Sequence, residues 1–252
     1  MLMFKPAPVD VDRPRRALLA AVGALALQGL FPASAFGKTV AAAKAGKMRI
    51  GIVGSGRIGG TVGGLWVKAG YPVFFSSRHP EQLQELVARL GPLAQAGSVE
   101  QAIAFGDVLF VAVPYGSLPE IGKDHAKALA GKIVLDACNA TVKRDGAIAV
   151  EAERQGIGIT SQKYLPRTRL VRAFNSINYK LLESEANRPA PRLTVPIAGD
   201  DRQAVEVAAA LVRDAGFDAV KVGRLIEANR FHFGGPGFGP MTATELRQKL
   251  SL

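Results

Sequence analysis

Residues 48–60 read Met48-Arg49-Ile50-Gly51-Ile52-Val53-Gly54-Ser55-Gly56-Arg57-Ile58-Gly59-Gly60. A short apolar run with strand character, Met48 to Val53, leads directly into G-x-G-x-x-G. From Arg57 to Ala69 the apolar residues then recur at helical spacing. The three glycines mean little alone, but between a strand and a helix each has a mechanical role. Gly54 permits a tight turn, Gly56 lets the backbone approach a pyrophosphate, and Gly59 lets the helix pack close to the sheet. The helix N-terminus presents free N–H groups to the anion. The stretch predicts the opening strand, turn and helix of a dinucleotide-binding α/β domain.

The rest of the chain alternates in the same way. Strands are expected at Pro72–Ser76, Asp107–Val113, Lys132–Ala137, Leu170–Phe174, Leu193–Gly199 and Asp218–Val222. Asp107–Val113 is a continuous apolar run of the kind buried on both faces of a parallel sheet. Helices are expected at Glu81–Leu90, Leu118–Ala130, Val150–Gln155, Arg202–Ala215 and Thr242–Leu250. Strands alternating with helices predict a doubly wound parallel sheet of Rossmann type, with a small C-terminal extension. Residues 48–180 are expected to form the nucleotide-binding domain. Residues 181–252 would complete the sheet and supply the acceptor side.

The end of the second strand chooses the nucleotide. NAD binders place Asp or Glu there to hold the ribose 2′-hydroxyl. Here the residues are Ser76, Ser77, Arg78 and His79, and the first carboxylate after the glycine turn is Glu81. Hydroxyls and a guanidinium suit a 2′-phosphate, which a carboxylate would repel, so NADP is the expected cofactor. Ligands of such sheets sit at the carboxyl ends of the strands. Val113 and Pro114 are therefore expected to line the dinucleotide, with Asn139 and Asn175 toward the nicotinamide.

Composition limits the partners. The 252 residues carry 32 basic and 21 acidic side chains, a formal charge of +11. About +9 of this lies beyond the leader. The charges are scattered, with no run of five Lys/Arg and no aromatic–basic motif, which argues against nucleic acid. A phosphorylated cofactor is the simpler anion. The single cysteine, Cys138, excludes a disulfide within one chain. His79, His125 and His232 are too far apart in sequence to suggest a metal site, and no metal is expected.

The first 35 residues carry an address. Arg15-Arg16-Ala17-Leu18-Leu19 fits a twin-arginine pattern, and Ala33-Ser34-Ala35 offers small residues for cleavage. The apolar stretch between them is shorter than the roughly 20 residues of a transmembrane helix. A signal peptide over 1–35, a loose arm over 36–47 and export to the periplasm are expected, with no stable membrane span after cleavage.

Taken together, G-I-V-G-S-G-R-I-G-G, F-F-S-S-R-H-P, F-G-D-V-L-F-V-A-V-P-Y-G, K-I-V-L-D-A-C-N, V-R-A-F-N-S-I-N and the closing T-A-T-E-L-R resemble the deazaflavin-dependent NADP reductase family. That family transfers hydride between NADP(H) and coenzyme F-420. The resemblance implies cofactor contacts at Ser55, Arg57, Ile58, Ser77, Arg78 and Asn139. It also implies a second-substrate region containing Asn175 and Phe231–Gly239. The sheet is similar to that of pyrroline-carboxylate and hydroxyacid reductases too, but no large helical block follows it. The expected activity is hydride transfer between NADP(H) and a deazaflavin or flavin-like small molecule, with a homodimer as the candidate assembly. The alternative is a non-catalytic exported NADP-binding protein, a sensor or a subunit.

Overall fold

The computed structural model describes residues 46–252. The leader and nearly all of the arm lie outside the described residues. One eight-stranded sheet organises the chain: β1 (Ile50–Val53), β2 (Val73–Ser76), β3 (Ala94–Gly97), β4 (Val108–Val111), β5 (Ile133–Asp136), β6 (Arg169–Arg172), β7 (Thr194–Gly199) and β8 (Asp218–Gly223). Their spatial order is β3-β2-β1-β4-β5-β6-β7-β8. The order reverses between β1 and β4, and the crevice at that switch point is where open α/β sheets take ligands.

Seven strands are expected from the sequence and eight are present. The extra one, β3, reads Ala-Gln-Ala-Gly, with no β-branched or aromatic residue to mark it. It pairs in register with β2 at the sheet edge. The helix that follows, Val99–Phe105, was also not expected. Its start carries a signature nonetheless: Ser98 and Gln101 form a reciprocal capping box.

The sheet is not wholly parallel. β6 and β7 pair antiparallel, while β7 and β8 return to parallel around the helix Arg202–Asp214. The link from β6 to β7 contains one short helix, Tyr179–Ser184. Six helical residues rise only about 9 Å. The chain re-enters the sheet from the end at which it left.

An aromatic cluster seats the first helix, α1 (Arg57–Lys68), on the sheet. Trp66 meets Phe110 and Phe174 edge-to-face, with ring centroids 5.2 and 5.7 Å away, and its indole N–H donates to the Leu211 carbonyl at 2.8 Å. The polar tip of a fully buried tryptophan is thus satisfied and α1 cannot slide. Among the described residues no helix is long and apolar enough to cross a membrane.

Candidate NADP and acceptor site

The turn after β1 behaves as the glycine spacing requires. Gly54 has φ +93°, and a Cβ there would stand 2.6 Å from Val113 Cγ1 and 2.7 Å from the Ala112 carbonyl oxygen. A Cβ on Gly59 would lie 2.0 Å from the Gly54 carbonyl oxygen, so α1 could not begin where it does. Gly56 differs: a Cβ there would meet no protein atom within 4 Å. Protein packing does not account for its missing side chain, and the space beside it opens into the cleft over the turn.

The same turn fits a pyrophosphate chemically. No side chain caps α1, its first turn holds no acidic residue, and the first helical bond runs from Gly60 N–H to the Gly56 carbonyl at 2.7 Å. The amides before it are left to an anion. The Ser55 hydroxyl is buried with no protein partner, and a polar group in that state wants a ligand or water. Ser55 N–H donates to the Ser76 carbonyl at 3.0 Å, tying the turn to the end of β2.

A cleft of about 490 Å3 opens over this turn, lined among others by Gly54, Ser55, Gly56, Ser77, Arg78 and Pro114. Val113 forms part of its wall. Arg78 is exposed and makes no ion pair among the described residues. Ser77 Oγ accepts the His79 N–H at 3.1 Å, which leaves its own proton free to donate. Glu100, Glu120 and Asp124 also line the cleft, so an anion is favoured at the Arg78 and glycine-turn end.

Three expected contacts take other positions. Ser76 is fully buried and its hydroxyl donates to the Ile52 carbonyl at 2.6 Å, so it braces β1 against β2 instead of reaching a phosphate. The Arg57 guanidinium lies over the Tyr179 ring, 5.4 Å from its centroid, and lines a second groove that meets the cleft at Ser55 and Gly56. Only its backbone amide remains available to the turn. Ile58 packs its side chain against the core.

At the ends of β5 and β6 the structure assembles a polar cluster. Asn139 Nδ2 donates to the Asn175 carbonyl at 2.7 Å, and Asn139 Oδ1 lies 3.1 Å from His232 Nδ1. Asn175 is buried; its Nδ2 donates to the Phe231 carbonyl at 3.0 Å, while its Oδ1 has no protein partner. Neither asparagine lines the cleft over the glycine turn. Below them Arg172 pairs with Asp136 at 2.6 Å and donates to the Cys138 carbonyl at 2.7 Å. Burial, reinforced by the Arg172 charge, pulls the His232 pKa down to about 4, so the imidazole is neutral at ordinary pH.

What the sequence did not show is the pairing of His232 with Asn139: the histidine stood only inside the Phe231–Gly239 segment, and its partner is 93 positions away. The aromatic segment beside it divides by burial. Phe231 is wholly in the core, whereas Phe233 is 48% exposed and stacks obliquely with Phe238 at 4.7 Å between centroids. Cys138 and Tyr115 are sealed below the surface, where burial raises both pKa values and keeps both groups protonated.

Residues 49–140 match the family model described as NADP oxidoreductase, coenzyme F420-dependent. The resemblance to this family thus holds over the Rossmann part of the chain. The match spans β1 through the loop after β5, including the glycine turn, Arg78, Pro114 and Asn139. Metalloreductase STEAP3 of Rattus norvegicus is 31% identical over 190 residues, covering 71% of this chain and 35% of that protein. The chain thus spans about a third of that relative's length. A hypothetical protein of Sinorhizobium meliloti is similar in structure at TM-score 0.65 and 25% identity, over 77% of this chain and 95% of that one. A protein from an Arthrobacter species, described as an F-420-dependent NADP reductase, shares the fold at TM-score 0.57 and 20% identity, over 72% and 87%. The Rossmann-type fold is therefore observed as well as expected.

Proposed function

We propose that this protein transfers hydride between NADP(H) and a planar deazaflavin- or flavin-type acceptor. The observation that carries the reading is the glycine turn: an unfilled space at Gly56, beside Ser77 and Arg78 with no carboxylate at the end of β2. Ser55 and the amides of Gly56 to Gly59 would hold the pyrophosphate, and Ser77 and Arg78 the 2′-phosphate. Val113 and Pro114 would form the wall along the dinucleotide. Asn139, supported by Asn175, stands at the strand ends toward which the nicotinamide extends. Phe233 and Phe238 offer an apolar shelf for a second ring.

When bound, NADPH supplies the hydride from its nicotinamide ring. Transfer between two flat heterocycles asks the protein chiefly for alignment, not for an acid or base. The buried Tyr115 and Cys138 agree with that demand. The reading is tested by mixing NADPH-loaded protein with flavin and deazaflavin acceptors and following loss of absorbance near roughly 340 nm. Oxidation that disappears in Gly56→Val supports it. No oxidation by these or by quinone and carbonyl acceptors favours a non-catalytic NADP-binding protein.

The twin-arginine leader motivates that second reading and the proposed periplasmic location. A protein that folds around a cytoplasmic dinucleotide must be exported folded, and it would meet no free NADPH afterwards.

A further inference from the structure

The orientation of Asn139 decides the chemistry of His232. The Asn175 carbonyl can only accept, so the Asn139 group facing it at 2.7 Å must be the amide nitrogen. Asn139 Oδ1 is then the atom facing His232 Nδ1, and it too can only accept. His232 must therefore carry its proton on Nδ1. With the ring neutral, Nε2 is an unprotonated acceptor, and no described residue donates to it. Burial and the Arg172 guanidinium both oppose a second proton on the ring.

This acceptor sits beside an apolar shelf. The His232 and Phe233 rings are 5.4 Å apart, and Phe233 continues to Phe238 at 4.7 Å. The segment is pinned at its far end by Gly239 N–H, which donates to the Ser176 carbonyl at 3.0 Å. The arrangement offers the exposed face of one phenyl ring, Phe233, with Phe238 tilted 48° against it and one fixed hydrogen-bond acceptor at its margin. A ligand that satisfies both is a planar ring with an N–H in its plane.

The geometry points to His232 as an acceptor-binding residue whose Nε2 takes a hydrogen bond from the imide N–H of a tricyclic flavin- or deazaflavin-type ring. This rests on the proposed function and deepens it. It explains why a neutral histidine is held by a two-asparagine relay. It also predicts selection for rings with an imide edge over quinones, which have no N–H to donate. The carboxamide of the nicotinamide is the other source of an in-plane N–H, and the experiment separates the two.

The test is equilibrium binding to the full chain loaded with NADP+, read by quenching of ligand fluorescence. The probes are lumiflavin, its deaza analogue and their imide-N-methyl derivatives. Wild-type protein is expected to bind the methylated rings about tenfold more weakly, the worth of one neutral hydrogen bond. His232→Phe is expected to bind parent and methylated rings alike, and His232→Gln, which keeps an acceptor oxygen, to restore part of the difference. Equal binding of both rings by wild-type protein overturns the inference while leaving the proposed acceptor class intact, and this arm needs no variant to fold. If neither parent ring binds, the acceptor class falls and the inference with it. A parallel series with NADP+ and its acetylpyridine analogue, which lacks the carboxamide N–H, identifies the other donor. If His232→Phe removes discrimination there and not between the flavins, the inference is overturned.

Discussion

Asp136 and Arg172 face each other in register across β5 and β6, 2.6 Å apart, and neither side chain reaches solvent. The carboxylate is fully used: Oδ2 accepts Arg172 and Oδ1 accepts the Cys138 N–H at 2.8 Å. The guanidinium is not, since Nε and Nη2 have no protein partner. The pair supports Cys138, and through it the loop that carries Asn139.

Removing one charge of this pair strands the other in the interior. Asp136→Asn is expected to cost about 3–5 kcal/mol of stability, measured by urea denaturation. Replacing both with Leu and Met is expected to recover most of the loss. A cost below about 1 kcal/mol for the single change would mean that water already reaches the pair.

The glycines of the turn should separate folding from binding. Gly59→Ala places a methyl against the Gly54 carbonyl and should destabilise by about 1–3 kcal/mol. Gly56→Ala meets open space and should leave stability within about 0.5 kcal/mol of wild type while abolishing NADPH binding. Calorimetric titration beside thermal unfolding distinguishes the two, and intact binding in Gly56→Ala would remove the proposed phosphate seat.

Arg78→Ala should weaken NADPH binding by about 1.5–3 kcal/mol, the loss of a charged hydrogen-bonded partner, and leave NADH nearly unchanged. The protein must be titrated with both nucleotides. Equal losses would show that Arg78 does not read the 2′-phosphate.

His232 should make the protein acid-sensitive. Its folded pKa lies below the unfolded value of 6.5, at about 4, so the unfolded chain takes up a proton that the folded chain refuses. The stability from the neutral ring is complete above pH 6.5 and is lost progressively as pH falls from 6.5 toward 4. Denaturation midpoints across that window should decline less steeply in His232→Gln than in wild type. Parallel declines would assign the acid sensitivity to other groups.

Export is open to a direct check. The double replacement Arg15→Lys and Arg16→Lys is expected to hold the precursor in the cytoplasm. Undiminished appearance of the protein in the periplasm would refute the twin-arginine address.

What was legible in the sequence was local. β1, the glycine turn and α1 lie within 19 residues, and each step is dictated by neighbours: an apolar run, a glycine at φ +93°, an uncapped helix start. Pro114 could be placed in the cleft because it follows a strand that its own residues announce. Ser76 could not be separated from Ser77 in the same way. Which of two adjacent serines turns inward is fixed by the pleat and by the Ile52 carbonyl, 24 residues away.

By itself, then, the sequence determined the opening strand, glycine turn and helix, the doubly wound α/β class and the absence of a carboxylate at the end of β2, because those depend on contiguous residues whose backbone and charge act where they stand. Only the tertiary structure decided that Ala94–Gly97 is a strand, that β7 reverses, and that Arg57 turns toward Tyr179. It alone brought His232 against Asn139 and beside Phe233. These depend on partners contributed by distant parts of the chain. An edge strand of weak propensity exists because β2 offers it hydrogen bonds, and a histidine is oriented because the amide oxygen facing it, 93 residues away, can only accept its N–H.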